Sequence, residues 1–152
     1  MNMTSATETG NAVQTIHATS ISIDGQGVLL TGPSGSGKSD LALRLIDRGA
    51  SLISDDYTLL THEGGGLIAD APVTIVGKME IRGVGIVPVP ACGKTPVRLM
   101  VELTEDVERL PPSPLTRTVA GVDLVFMKLS PFEASAPIKL EWMLRHIMSG
   151  GA

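Results

Sequence analysis

Apolar and polar residues alternate along residues 15–24, where Ile16, Ala18, Ile21 and Ile23 are the apolar members. Successive side chains of a strand point to opposite faces, so this period of two predicts one half-buried strand. Gly25 and Gly27 bracket a predicted tight turn. The short apolar run "GVLLTG" that follows over residues 27–32 is typical of a strand buried on both faces.

At Lys38 the pattern changes to a helical period. Leu41, Leu45 and Arg48 recur at helical spacing, and Gly49 is placed to end the helix. A second helix is predicted near the end of the chain, with Ser135 as its cap and Pro137 in its first turn. Its apolar positions include Ile138, Met143 and Ile147, and Trp142 is also assigned to the core.

Strands account for most of the remaining predicted structure. They are expected at 50–56, 57–63, 79–90, 96–103 and 121–129, with a hairpin turn at 64–67 and an irregular, proline-rich loop at 109–117. The chain is therefore predicted to be an α/β protein with a mainly β sheet and few helices. Residues 12–152 are expected to form a single domain, and residues 1–11 a disordered tail.

Composition narrows the classes of function. The chain has 152 residues, of which 43% are hydrophobic and 3% aromatic, so its core must be aliphatic. A net charge of -4 argues against nucleic-acid binding. Cys92 is the only cysteine, which excludes an intramolecular disulfide. No long apolar run and no signal-peptide pattern are present, so a soluble, cytoplasmic protein is expected.

A glycine-rich loop from Gly32 to Ser39, "GPSGSGKS", fits the pattern G-x-x-x-x-G-K-[ST]. Its backbone N–H groups and the start of the following helix can surround an anion. Lys38 can supply a cation for the outer phosphates, and Ser39 a hydroxyl for Mg²⁺. The alternative is a Gly/Ser turn that only starts a helix, but an apolar strand before the loop and a helix after it favour phosphate binding. The predicted nucleotide-binding positions are Gly32, Pro33, Ser34, Gly35, Ser36, Gly37, Lys38 and Ser39.

Acidic residues end the strand that is predicted after the loop's helix. Asp55 and Asp56 would point to opposite faces of a regular strand, so one should face the phosphates unless the backbone bends. Their alternative role is a turn pair. Glu80 and Arg82 share one face of "MEIRGVG" and could bind Mg²⁺ and phosphate; spacing alone favours an exposed ion pair instead. His17 by itself is expected to be a packed or surface residue, and no metal-ligand spacing joins it to His62 and His146.

The segment "HATSISIDGQGVLLTGPSGSGKSDLALRLIDRGASLISDD", together with "MEIRGVGI", resembles the catalytic domain of HPr kinase/phosphorylase. The resemblance covers about residues 16–86. It implies a phosphoenolpyruvate-carboxykinase-like core with a P-loop. It also implies an ATP- and Mg²⁺-dependent kinase that phosphorylates a serine of HPr, the phosphocarrier of the sugar phosphotransferase system, and so regulates carbohydrate metabolism.

The resemblance also implies roles for individual residues. Asp55 would take the proton of the serine, with Lys38 and His17 beside the phosphates. Ser39, Asp56 and Glu80 would serve Mg²⁺. Asp40 and Arg82 would complete the nucleotide site.

The chain departs from the family's longer members in two ways. It is expected to lack their preceding domain and so to resemble the short form found in alphaproteobacteria. The stretch that corresponds to their late basic loop, residues 130–142, lacks its arginine, which counts against the phosphorylase reaction. Longer members of the family assemble as hexamers, so the formation of a homo-oligomer by this chain stays an open question. Two other functions also stay open: a small-molecule kinase and a non-catalytic nucleotide sensor.

Overall fold

The computed structural model describes residues 12–111 and 115–150. The tail expected at 1–11 lies outside the described residues, as does part of the proline-rich loop, residues 112–114. The loop predicted at 109–117 is partly wrong, because its last residues, from Leu115 onward, already belong to a strand.

Among the described residues, nine strands form one mixed sheet, and two more form a separate hairpin. Along the large sheet the order is β1, β5, β6, β9, β3, β2, β4, while β11 pairs with β9 and carries β10 on its other side. The strands are β1 (Val13–Ile16), β2 (Thr19–Ile23), β3 (Gln26–Thr31), β4 (Ser51–Ser54), β5 (Thr58–Glu63), β6 (Gly66–Asp70), β7 (Lys78–Ile81), β8 (Gly85–Pro88), β9 (Thr95–Leu103), β10 (Leu115–Val119) and β11 (Val122–Leu129).

Five strands of the large sheet run in the same direction: β5, which is antiparallel to β6 as β6 is to β9, and four others. β3 and β11 are both parallel to β9. β2 is antiparallel to β3 and to β4, so β4 also runs with β3. The carboxyl ends of β4, β3, β9 and β11 therefore lie at one edge of the sheet, which is the edge where open α/β sheets bind their ligands.

Helix α1 (Lys38–Asp47) follows β3, and helix α2 (Ala136–Met148) follows β11. α1 buries Leu41 and Leu45, and α2 buries Leu140 and Leu144, in one aliphatic core with the sheet. As predicted, Gly49 follows the end of α1 with a φ of 111°. Within the described residues, neither helix combines the length and apolarity that crossing a membrane requires.

A bidentate ion pair joins the two helices. Nε and Nη2 of Arg48 lie 3.0 and 2.7 Å from the carboxylate oxygens of Glu141. The hydrogen bonds to Glu141, and then the attraction of its negative charge, raise the pKa of Arg48 above its ordinary value. The pair lies at the carboxyl end of α1, away from the glycine-rich loop.

The single strand predicted over 15–24 is wrong, because the chain bends at His17 and forms β1 and β2. β1 pairs with β5, whereas β2 pairs with β3 and β4. The Oγ1 of Thr58 donates a 2.9 Å hydrogen bond to the carbonyl of Ala18 at the bend. An alternating pattern does not reveal a change of pairing partner, so both strands carry the same signal.

Two other elements differ from the predictions. The segment 79–90 is a hairpin of β7 and β8 rather than one strand, with Gly83 in its turn at a φ of 87°. Ser135 makes no side-chain capping bond; its carbonyl accepts the N–H of Lys139 at 2.8 Å.

Trp142 is not a core residue, because its side chain is 62% exposed. The buried stripe of α2 runs through Ala136, Leu140 and Leu144, spaced four residues apart. Trp142 lies about 200° around the helix from Leu140 and so faces away from the core. Its ring is instead covered by the guanidinium of Arg145, 4.5 Å from the ring centroid.

Candidate active site

The glycine-rich loop joins β3 to α1, as predicted. Gly35 and Gly37 adopt left-handed φ angles of 82° and 98°, which glycine reaches without steric cost. Lys38 begins the helix and is only 6% exposed. Its Nζ donates to the carbonyls of Gly32 at 2.8 Å and Pro33 at 3.2 Å, so the ammonium lies inside the curve of the loop.

The loop fits an anion in two further respects. The Oγ of Ser36 is buried and has no hydrogen-bond partner among the described residues, so this hydroxyl can still donate. Gly32 has a φ of 149°, a backbone conformation that favours glycine, and a Cβ there would lie 2.6 Å from that oxygen. The first N–H groups of α1 also lack partners within the helix and so can bind a negative group.

Asp55 lies directly after β4 and binds residues from three other parts of the chain. Its Oδ1 accepts hydrogen bonds from the hydroxyls of Ser39 at 2.7 Å and Thr19 at 3.3 Å. Its Oδ2 lies 3.4 Å from the N–H of Glu80. The half-buried carboxylate is therefore held at the start of α1, beside the glycine-rich loop.

Asp56 is held differently, although it is the next residue. Its φ of 68° is left-handed, and this bend is stabilised by a 3.0 Å hydrogen bond from its N–H to Oγ1 of Thr19. The bend removes the strand alternation that would separate the two carboxylates. Both residues consequently line one pocket, whereas a regular strand would direct only one of them toward it.

A histidine orients the carboxylate of Asp56. Nε2 of His17 lies 2.8 Å from Oδ1 of Asp56, with side-chain exposures of 40% and 56%. The ring of His17 stacks on Tyr57 with 5.2 Å between the ring centroids. His17 therefore takes part in the site by holding Asp56, and it lies in the bend between β1 and β2 rather than on a strand.

Glu80 lies on the exposed face of β7, next to its last residue, and Arg82 lies in the turn that follows. No ion pair joins the two within residues 12–111 and 115–150, so the pairing that spacing alone favoured is not formed there. Both instead line the same pocket as the loop and the aspartates.

The pocket has a volume of ≈ 650 Å³. Most of the predicted site residues contribute to its wall, and Asp40 does so while paired with Arg44 at 3.0 Å. A second cavity of ≈ 570 Å³ lies beside the Arg48–Glu141 pair and contains none of them. The wall of the first is formed by Ser34, Gly35, Gly37, Lys38, Ser39, Asp40, Leu43, Asp55, Asp56, Glu80, Ile81, Arg82 and Phe132.

The donor set fits Mg²⁺. Ser39, Asp55 and Glu80 present a hydroxyl and two carboxylates around one pocket. Mg²⁺ takes oxygen ligands, and proteins usually supply one or two carboxylates while phosphates and water complete the shell. In the described part of the chain no group of three or more His, Cys, Asp or Glu is arranged as a metal site by itself.

Sequence reasoning missed two residues of this site. Thr19 is fully buried and holds both aspartates, but a threonine on a strand has no distinctive pattern. Phe132 contributes an exposed aromatic ring to the pocket from a segment far along the chain. Its position among polar residues after β11 was the one available signal.

Comparison with known proteins finds one family of similar sequences. The family model described as HPr Serine kinase C-terminal domain matches residues 11–130. The HPr kinase/phosphorylase of Prosthecochloris aestuarii is 37% identical over 129 residues, which are 76% of this chain and 38% of that protein. The corresponding protein of Chlorobium limicola is 35% identical over 153 residues, 88% of this chain and 46% of that protein.

A solved structure is also similar. The HPr(Ser) kinase/phosphatase from Coxiella burnetii superposes with a TM-score of 0.76 at 33% identity, covering 90% of this chain and 92% of that one. The mainly β, α/β fold with two helices is thus shared with a solved kinase/phosphatase. This chain spans less than half the length of the two curated relatives.

Proposed function

The chain belongs to the HPr serine kinase C-terminal domain family, and on that premise we propose that it is an ATP-dependent kinase for a serine of an HPr-type phosphocarrier protein. Residues 12–152 would form one kinase domain with a phosphoenolpyruvate-carboxykinase-like P-loop core. Its activity would belong to phosphotransferase-system regulation of carbohydrate metabolism. The observation that carries the proposal is the hydrogen bond from Ser39 to Asp55, which joins the glycine-rich loop to the acidic pair.

That contact favours a division of roles opposite to the one implied by the resemblance. In P-loop enzymes the loop serine and an aspartate from a neighbouring strand hold the metal together. Asp55 is already bonded to Ser39, so we assign Asp55 to the metal together with Ser39 and Glu80. Bound Mg²⁺ would neutralise phosphate charge and orient the outer phosphates.

Asp56 is then the group that accepts the proton. Its carboxylate is more than half exposed, whereas that of Asp55 is covered by hydroxyls, so a substrate serine can approach Asp56 more readily. The serine Oγ would bond to the γ-phosphorus as the bond to the bridging oxygen breaks, and its proton would pass to Asp56. The hydrogen bond from His17 would hold that carboxylate in place.

Charge stabilisation falls to the cations of the pocket. Phosphoryl transfer depends on positioning and on neutralising the charge of the equatorial oxygens. Lys38 would exchange the carbonyls of Gly32 and Pro33 for phosphate oxygens, and Arg82 would approach from the β7–β8 turn. The loop N–H groups and the Ser36 hydroxyl would supply neutral donors.

The reverse, phosphate-dependent reaction is not part of the proposal. The segment from Ser130 to Ser135 contains no basic residue. The nearest arginine, Arg44, is engaged with Asp40 and with the carbonyls of Pro131 and Glu133. A cation free to bind inorganic phosphate is therefore missing from this segment.

The test is to incubate the chain with ATP, Mg²⁺ and HPr and to weigh HPr by mass spectrometry. One phosphoryl group per HPr is expected, and none when the target serine of HPr is changed to alanine. Unmodified HPr with ATP bound to the chain would overturn the kinase proposal in favour of a nucleotide sensor. Unmodified HPr with ATP turned over only when a small acid or sugar is added would favour a small-molecule kinase.

A further inference from the structure

Phe132 is an aromatic residue with no assigned role, and it lies against the glycine-rich loop. Its side chain is 65% exposed. A Cβ built on Gly37 would lie 3.1 Å from Cε1 of the ring, so the ring lies on the side of Gly37 where any other residue would carry its side chain. Among the described residues that line the pocket, Phe132 is the only aromatic one.

The segment that carries Phe132 is fixed on both sides of the ring. Arg44 donates to the carbonyl of Pro131, and to that of Glu133 at 3.2 Å. Lys139 pairs with the carboxylate of Glu133 at 2.6 Å. An exposed apolar ring held in this way forms a rigid face of the pocket, at little further entropic cost when a ligand binds.

The sheet order indicates which end of a nucleotide this face would meet. From β3, which enters the loop, β2 and β4 lead to Asp55 and Asp56 in one direction. β9 and β11 lead to Phe132 in the other direction. The transferred phosphoryl group must lie at the aspartates, so the phosphate chain crosses the loop and the nucleoside end points toward the Phe132 side.

We propose that Phe132 is the surface on which the base of the bound nucleotide stacks. This inference rests on the proposed nucleotide-binding function and adds the recognition of the nucleoside to it. Stacking on an aromatic face is available to every base and favours affinity more than selectivity. The phosphates would bind through Lys38 and the loop whether or not a base is attached.

The experiment compares ATP with inorganic tripolyphosphate, both with Mg²⁺, by calorimetry on the full chain. Phe132→Ala should lower ATP affinity by about tenfold or more, as for loss of one base–aromatic stack. Tripolyphosphate affinity should change less than about twofold, because Phe132 offers phosphates no charge or donor. Phe132→Trp should keep the ATP affinity, since its ring presents a larger face.

Trp142→Ala is the matched control, an equally exposed aromatic on the outer face of α2, and it should change neither affinity. If Phe132→Ala lowered the affinities for ATP and tripolyphosphate equally, Phe132 would only shape the loop. If it lowered neither affinity, Phe132 would not contact the bound nucleotide. Either result would overturn the inference. If the unaltered chain binds neither compound, the nucleotide-binding function fails, and the inference fails with it.

Discussion

The hydroxyl of Ser39 donates a 2.7 Å hydrogen bond to Oδ1 of Asp55. This bond connects the first turn of α1 to the end of β4 and places a carboxylate where the loop serine would bind Mg²⁺. The neighbouring Asp56 makes no such contact and is held by His17 instead. Two adjacent carboxylates thus have distinct surroundings, and distinct surroundings allow distinct chemical roles.

Substituting the two aspartates separately should give different kinetic defects. Asp55→Asn should lower the apparent Mg²⁺ affinity of the nucleotide complex by at least about tenfold, because a ligand charge is lost. Asp56→Asn should leave nucleotide affinity nearly unchanged and lower the transfer rate by about 10²–10⁴-fold, the usual contribution of a general base. Mg²⁺ titrations of ATP binding and single-turnover phosphorylation of HPr measure the two effects.

Each variant serves as the control for the other, because both replace the same carboxylate by the same amide. If Asp55→Asn retained normal Mg²⁺ dependence and lost only the transfer step, the roles would have to be exchanged. That result would restore the assignment implied by the family resemblance.

Lys38→Met should weaken ATP binding about tenfold or more and slow transfer as well. The substitution keeps the length of the buried side chain but removes its charge, and hydrogen bonds from an ammonium to phosphate are among the stronger ones. Lys94→Met is the control, since Lys94 is exposed and does not line the pocket. Equal ATP affinity in the two variants, measured by calorimetry, would contradict the assigned role of Lys38.

Thr19→Val should destabilise the fold and slow transfer together. The valine has the same shape but lacks the hydroxyl to which the Asp56 N–H donates, and leaving this partly buried donor unpaired costs at most about 1–3 kcal/mol. Thr19→Ser should recover both properties. Urea unfolding and single-turnover kinetics are the measurements, with Thr116→Val on the exposed face of β10 as the control. A stable Thr19→Val variant with full activity would show that the bend at Asp56 does not depend on this contact.

Gly27→Ala should loosen the pairing of β3 with β9, on which the position of the glycine-rich loop depends. A Cβ there would lie 2.8 Å from the carbonyl oxygen of Pro96, and backbone cannot yield as a flexible side chain can. Overpacking of this kind costs about 1–3 kcal/mol in unfolding free energy. Gly93→Ala has open space around it and should cost much less. Equal stability of the two variants in urea would mean that β9 shifts to accommodate the methyl group.

Local patterns were sufficient for the glycine-rich loop and for much of its setting. A buried apolar strand, a run of glycines with Lys38, and a helix that stops before Gly49 follow one another directly along the chain, so the sequence itself shows them as neighbours. The same holds for the hairpin turn at Gly64 and Gly65. The strand predicted at 50–56 is present but ends at Ser54, so Asp55 and Asp56 lie beyond it.

Several features depended on the tertiary structure because they join distant parts of the chain. The bend between β1 and β2 follows from a change of pairing partner, and Trp142 is exposed because the core contacts a different stripe of α2. An alternating or helical pattern limits which faces can be buried, but it does not say which neighbour covers them.

By itself, the sequence predicted a phosphate-binding loop at Gly32–Ser39 and identified an acidic pair, Asp55 and Asp56, as its neighbour. Only the tertiary structure decided which aspartate meets Ser39, since that depends on the left-handed backbone of Asp56 and on Thr19, 37 residues away. It also decided that Phe132 reaches the loop, because β11 runs parallel to β9 and ends at the same edge as β3. Residue types and spacing state which groups are available, whereas strand order and backbone dihedral angles decide which of them meet.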